Sequence, residues 1–177
     1  MNNRSLSSAW LASWMSRVSG ALKVMTGEFE RQHDFAPGTN EVRQADRDDR
    51  AAARVLAQVS LASADLLTFY DSIGGVTWAD VGNGYFVAPA CHVLQQLKEY
   101  GAVDVGADRQ PHGLVIGSNG GGQSYVAGPG GAVYRTRTAS LDEPELDCVA
   151  DDLRQFLELL EQVLTRFARA TNGRTSS

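Results

Sequence analysis

Cysteine is scarce in this chain of 177 residues, which holds only Cys91 and Cys148. Two cysteines make no disulfide framework, and neither stands in a CxxC or Cys/His pattern, so a reducing, cytoplasmic setting is expected. The three histidines, His33, His92 and His112, each stand apart from a second ligand, whereas a zinc site shows closely spaced ligands. No metal and no cofactor is expected. No stretch approaches the ~20 apolar residues of a membrane span. Only Arg4 precedes the first apolar residues, and Ser, Trp and Arg interrupt them, so a secretory signal is not expected and the mature chain should begin near Met1. A net charge of −5 argues against nucleic acid or an anionic membrane as the main partner.

A catalytic constellation is also missing. Cys91 and His92 are adjacent on a helix, so their side chains diverge by about 100° and do not make a nucleophile–base pair. The pair reads as a small buried Cys beside a surface His. Ser124 lacks the GxSxG elbow of hydrolases. The run Gly117–Ser124 reads GxxxxG-Q-S, close to a phosphate-binding loop, but Gln123 stands where that loop needs lysine. The residues after Gln123 read as strand and turn, whereas the anion-binding loop opens a helix. The glycines are read as a hairpin turn, and the chain is expected not to be an enzyme.

The sequence does hold a hydrophobic fraction of 43%, enough at this length for one domain with a sizeable core. Its centre is Gly113–Arg137. Leu114–Ile116, Ser124–Ala127 and Ala132–Arg137 read as three short strands joined by two glycine turns. Loops of four to six residues are too short for a parallel crossover, so the sheet is expected to be antiparallel.

Helices flank it. Leu6, Trp10, Trp14, Val18, Leu22, Met25 and Phe29 make one stripe over residues 5–31, expected to dock on the domain by its Trp face, with an exposed partner-binding face as the sharper alternative. Glu41–Val59 reads as a charged helix. Ser63–Ile73 reads as a helix with a Ser63 N-cap and a left-handed stop at Gly74–Gly75. Val76–Trp78 and Tyr85–Val87 read as strands around the Asn83–Gly84 turn, and a helix opens at Pro89 and ends at Gly101. Residues 102–112 and 139–146 read as loops. A heptad-like seam, Val149, Leu153, Phe156, Leu160, Val163 and Phe167, predicts a last helix over 149–169. Three segments result: an N-terminal helix and loop (1–40), an α+β domain (41–169) and a disordered tail (170–177).

Charge concentrates late in the chain. Between Asp142 and Glu161, eight carboxylates face only Arg154, a local charge of −7. Asp151 and Asp152 suit the positive end of a helix dipole, while the others fit a solvated loop or an acidic docking face.

The order of these pieces is distinctive: a helix ending in Gly-Gly, a Trp strand, the NGYF strand, a helix, an apolar strand with SNGGGQSYV, a glycine turn with AVY, an acidic loop and an FLELL helix. It resembles the SUKH superfamily, which includes bacterial immunity proteins and a yeast cell-wall-synthesis regulator. The likeness covers residues 41–169, with its best pieces at Leu67–Gly75, Gly113–Tyr134 and Leu153–Leu160. It implies a mostly antiparallel sheet flanked by helices, no catalysis, and binding of a cognate protein toxin, often a nuclease or another effector of a polymorphic toxin system. It also makes Gly74, Gly75, Gly121, Gly122 and Tyr134 scaffold positions. The long N-terminal helix departs from the pattern.

From loop position and chemistry, Trp78, Asp80, Asn83, Tyr85, Asp142, Glu143, Glu145 and Asp147 are the expected contacts to a basic toxin. The protein is expected to act as a monomer or weak homodimer. The alternative is a non-catalytic adaptor or scaffold that binds a host protein.

Overall fold

A computed structural model describes residues 5–104, 112–141 and 145–172. The fold is α+β, a single antiparallel sheet with helices packed mainly on one face. Its strands are β1 (Asn40–Gln44), β2 (Ile73–Trp78), β3 (Tyr85–Val87), β4 (Val103–Asp104), β5 (His112–Asn119), β6 (Ser124–Ala127), β7 (Val133–Thr136) and β8 (Leu146–Ala150). They pair in the order β1-β2-β3-β5-β6-β7-β8, with β4 on the far half of β5. The expected three-strand meander is β5, β6 and β7.

Helix α1 (Ser8–His33) is about 39 Å long at 1.5 Å per residue. Ser7 caps it by accepting from the Trp10 amide at 3.1 Å, and Asp34 ends it in the left-handed region at φ 55°. Leu11, Trp14, Val18, Leu22 and Met25 recur every three or four residues and are buried. They belong to the same core as the sheet, so α1 is packed by its Trp14 face and does not hold that face open to a partner. Trp14 donates its indole N–H to the Leu157 carbonyl at 3.0 Å, and Arg154 lies 5.1 Å from the centre of the Trp10 ring. Both anchors lie on the last helix, α5 (Leu153–Asn172).

Helix α2 (Arg47–Leu56) starts six residues later than the charge pattern predicts. Asp46 and Asp49 form a reciprocal capping box there, which fixes the first turn at Arg47. Upstream of it, residues 41–44 pair with β2 as an edge strand. Helix α3 (Ala64–Ser72) has the expected Ser63 cap, whose hydroxyl accepts from the Leu66 amide at 3.2 Å. Gly74 and Gly75 do not end that helix in a left-handed turn. The chain passes straight from Ser72 into β2, and both glycines are strand residues without positive φ. A Cβ at Gly74 would lie 2.6 Å from the Arg43 guanidinium, which donates to the Gly74 carbonyl, so a side chain there would make Arg43 shift.

Helix α4 (Ala90–Tyr100) opens after Pro89, as the sequence predicts, and buries Ala90 and Val93. Cys91, expected to be buried, is exposed beside the exposed His92. The stretch 146–150, expected to divide between an acidic loop and the start of a helix, is strand β8. Pairing with β7 accounts for it, and α5 begins only at Leu153. Among the described residues no helix is long and apolar enough to cross a membrane. The expected disordered tail lies largely outside the described residues.

Candidate functional site

Because every pairing is antiparallel, the end of β2, the start of β3, the end of β5, the start of β6, the end of β7 and the start of β8 lie at one end of the sheet. Their connections form a rim. From β2 to β8 it crosses five strand spacings of about 4.8 Å, roughly 24 Å in all.

The rim is hydrogen-bonded along its length. Asn40 donates its amide to Asp80 Oδ2 at 2.7 Å, and the Asp80 amide donates back to Asn40 Oδ1 at 3.0 Å. The Gly120 N–H donates to the Gly84 carbonyl at 3.1 Å, which ties the β2–β3 loop to the β5–β6 loop. Asn119 Oδ1 accepts from the amides of Gly121 and Gln123 at 3.0 and 3.2 Å, so the phosphate-loop lookalike is an Asn-closed hairpin turn. Gln123 reaches on to the Arg137 carbonyl at 3.4 Å. Arg137 then donates to Asp147 Oδ1 from Nε and Nη2, at 3.0 and 2.9 Å, and to Glu145 Oε2 from Nη1 at 3.0 Å.

Five of the eight expected contacts come to this end. Asp80 and Asn83 sit in the β2–β3 loop, Tyr85 opens β3, and Glu145 and Asp147 stand at the start of β8. Asp142 and Glu143 lie outside the described residues. Trp78 is a correction. Its ring is 0% exposed and stacks on Trp14 with centroids 6.4 Å apart, so it is core and offers no surface. Sequence position placed it near a loop, but strand alternation aims it at α1, 64 residues away in the chain.

The acidic stretch is less bare than its sequence suggests. Arg137 holds Glu145 and Asp147, Arg17 from α1 holds Glu161 at 2.9 Å, and Arg154 holds Glu158 at 3.2 Å. The hydrogen bonds from Arg137 keep the Asp147 carboxyl below the usual carboxylate range. At the start of α5, Asp152 Oδ1 accepts from the Gln155 amide at 2.7 Å, a capping contact. The rim acids remain open to water, with the Glu145 side chain 74% exposed and that of Asp147 41%.

Two recesses adjoin the rim. On the sheet face away from α1, Thr77, Phe86, Ser118 and Ser124 form one cross-strand row beneath His92 of α4, lining an open groove of about 500 Å³. On the helix face, a second row runs Val87, Gly117, Tyr125, Arg135 and Asp147. There a crevice of about 160 Å³ is lined by Tyr85, Tyr125 and Arg135 from the sheet and by Phe156, Leu160 and Val163 from α5. Burial, then the neighbouring Tyr85, pushes the Tyr125 phenol above its ordinary range.

Sequence reasoning missed Arg135, Tyr125, Arg137 and the groove. A signal for the arginines was present, since Val133, Arg135 and Arg137 alternate in VYRTR and so share one face of a strand. Among the described residues no three His, Cys, Asp or Glu side chains are placed to hold a metal ion. No protein-family model, no curated protein and no solved structure matches the chain.

Proposed function

We propose that this chain is a SUKH-like immunity protein, which binds a cognate protein toxin one to one and blocks it without catalysis. The observation that carries the reading is the rim. Polar and acidic residues far apart in sequence, Asp80, Asn83, Glu145 and Asp147, are gathered on one continuous hydrogen-bonded edge. An edge of roughly 24 Å matches the breadth of a standard protein interface, about 800 Å² per partner. Its exposed carboxylates suit a basic partner, which they would steer on approach. The motif order over residues 41–169 supports the same reading, and such a protein would work in the cytoplasm of the cell it protects.

Co-expression with the product of the neighbouring upstream gene tests it. The expected outcome is a product that is toxic alone, harmless with this chain, and recovered with it in a one-to-one complex. A product that is harmless alone and does not co-purify overturns the inhibitor reading and leaves an adaptor for a host protein in its place.

A further inference from the structure

The crevice under α5 is lined by a half-buried arginine, Arg135, with one buried N–H that has no hydrogen bond. Arg135 Nε is fully buried, yet no acceptor lies within hydrogen-bond distance. Its charge acts on Asp147 and Tyr125 across the sheet, but among the described residues its guanidinium donates no hydrogen bond to either. Asp147, its cross-strand neighbour, accepts from Arg137 instead. A buried donor left unmatched costs free energy, so it is kept only where something offsets the cost or fills the place.

The walls narrow the choice of occupant. Phe156, Leu160 and Val163 supply an apolar side, while the Tyr85 and Tyr125 rings stand opposite. The cation calls for a carboxylate, because a guanidinium matches its two oxygens with paired N–H donors. Size calls for a single side chain. Ligand pockets run from about 300 Å³ upward, whereas a cavity of roughly 150 Å³ holds one benzene, and this crevice is about 160 Å³.

We infer that the crevice receives an acidic side chain, glutamate or aspartate, from a protein that docks on the adjoining rim. The carboxylate meets Arg135 Nε and Nη, and its methylene stem packs against Phe156 and Leu160. Arginine and tyrosine are among the residue types most enriched at the energetic centres of interfaces. A partner that is basic overall can still carry this one acid, which then fixes how it sits against the rim.

The identity of the partner as a docked protein rests on the immunity reading, but the crevice itself can be tested without one. The probe is N-acetyl-glutamate N-methylamide, titrated into the ¹⁵N-labelled full chain, with N-acetyl-glutamine N-methylamide as the neutral control at equal ionic strength. The Arg135 Nε–H cross-peak should move and saturate with the glutamate probe and stay still with the glutamine one. Arg135→Met should weaken the probe's saturable shifts at Tyr85 and Tyr125 by about tenfold or more, as loss of a charged hydrogen bond predicts. Tyr134→Phe, on the other face of the sheet, should retain them. Equal shifts with both probes would show an apolar pocket and overturn the carboxylate assignment. Absence of a saturable shift with the glutamate probe overturns the site altogether. Neither result touches toxin neutralisation, so the crevice and the inhibitor reading fail separately.

Discussion

Gly120→Ala is the sharpest test of how the rim is built. Gly120 is not among the glycines with positive φ, so its backbone angles do not call for glycine. Contact does: a Cβ there would lie 1.5 Å from the Asn83 carbonyl oxygen and 2.6 Å from its carbon. Real Cβ atoms come no nearer than 3.0 Å, so the two loops would have to part by at least the 1.5 Å difference. The Gly120 N–H to Gly84 bond, now 3.1 Å, would then stretch beyond hydrogen-bond reach. Losing that bond costs about 0.5–1.5 kcal/mol, and forcing the loops apart adds about 1–3 kcal/mol. The sum is about 1.5–4.5 kcal/mol, or a Tm lower by roughly 3–18 °C for a chain of this size. Gly130→Ala in the next turn is the control, because nothing lies within 4 Å of a Cβ there. It should stay within about 0.5 kcal/mol of the parent, as surface changes do. Urea unfolding followed by circular dichroism gives both values. If the two substitutions cost the same, the close approach of the loops is not what glycine serves.

Three further outcomes rest on particular contacts. Trp14→Ala removes a fully buried ring and its bond to Leu157, so it should cost about 3–5 kcal/mol in urea unfolding; a loss below 1 kcal/mol would detach α1 from the core. Asp49 is held at about 2 instead of 3.8, chiefly by its hydrogen bond from Arg43, which is worth about 2 kcal/mol at neutral pH. That stability is complete above the unfolded-state value and is lost as pH falls towards 2, so Asp49→Asn should be weaker by about 2 kcal/mol at pH 7 and by only about half of that at pH 3. A gap that does not narrow with acid refutes the pairing. Arg135→Met removes an unmatched buried donor and should raise Tm by about 2–4 °C in a thermal melt, the equivalent of roughly 1 kcal/mol; a fall in Tm means the guanidinium already has a partner.

Local signals were legible and distant ones were not. The β5–β6–β7 meander could be read because glycine turns and β-branched runs act over a few residues. Ser63 marked a helix start for the same reason, since its cap is a contact over three residues, and Pro89 did so through its own fixed φ, without a capping bond. Strands β1 and β8 were missed because neither carries a strand pattern of its own. Glu41–Gln44 is polar and becomes an edge only by pairing with β2, some thirty residues on. Leu146–Ala150 becomes strand by pairing with β7. At the candidate site, five residues chosen for their place in loops did converge, because antiparallel connections alternate between the two ends of a sheet. Trp78 failed the same criterion, since the helix that covers it comes from the opposite end of the sequence.

Arginines from elsewhere in the fold change what the acidic stretch can do. As a sequence, residues 142–161 look like a field that pulls in any basic protein. In the fold, Arg137, Arg17 and Arg154 each hold at least one of those carboxylates, which shortens the reach of the field. The pairs differ in kind from the Arg43–Asp49 pair, whose carboxylate is buried and also caps α2. Arg137, Glu145 and Asp147 are all substantially exposed, and exposed ion pairs contribute little to stability. On the proposed reading, a partner lysine or arginine would therefore displace Arg137 at small cost, provided it arrives in the right place. On that reading such acids would discriminate between partners by geometry more than by bulk charge.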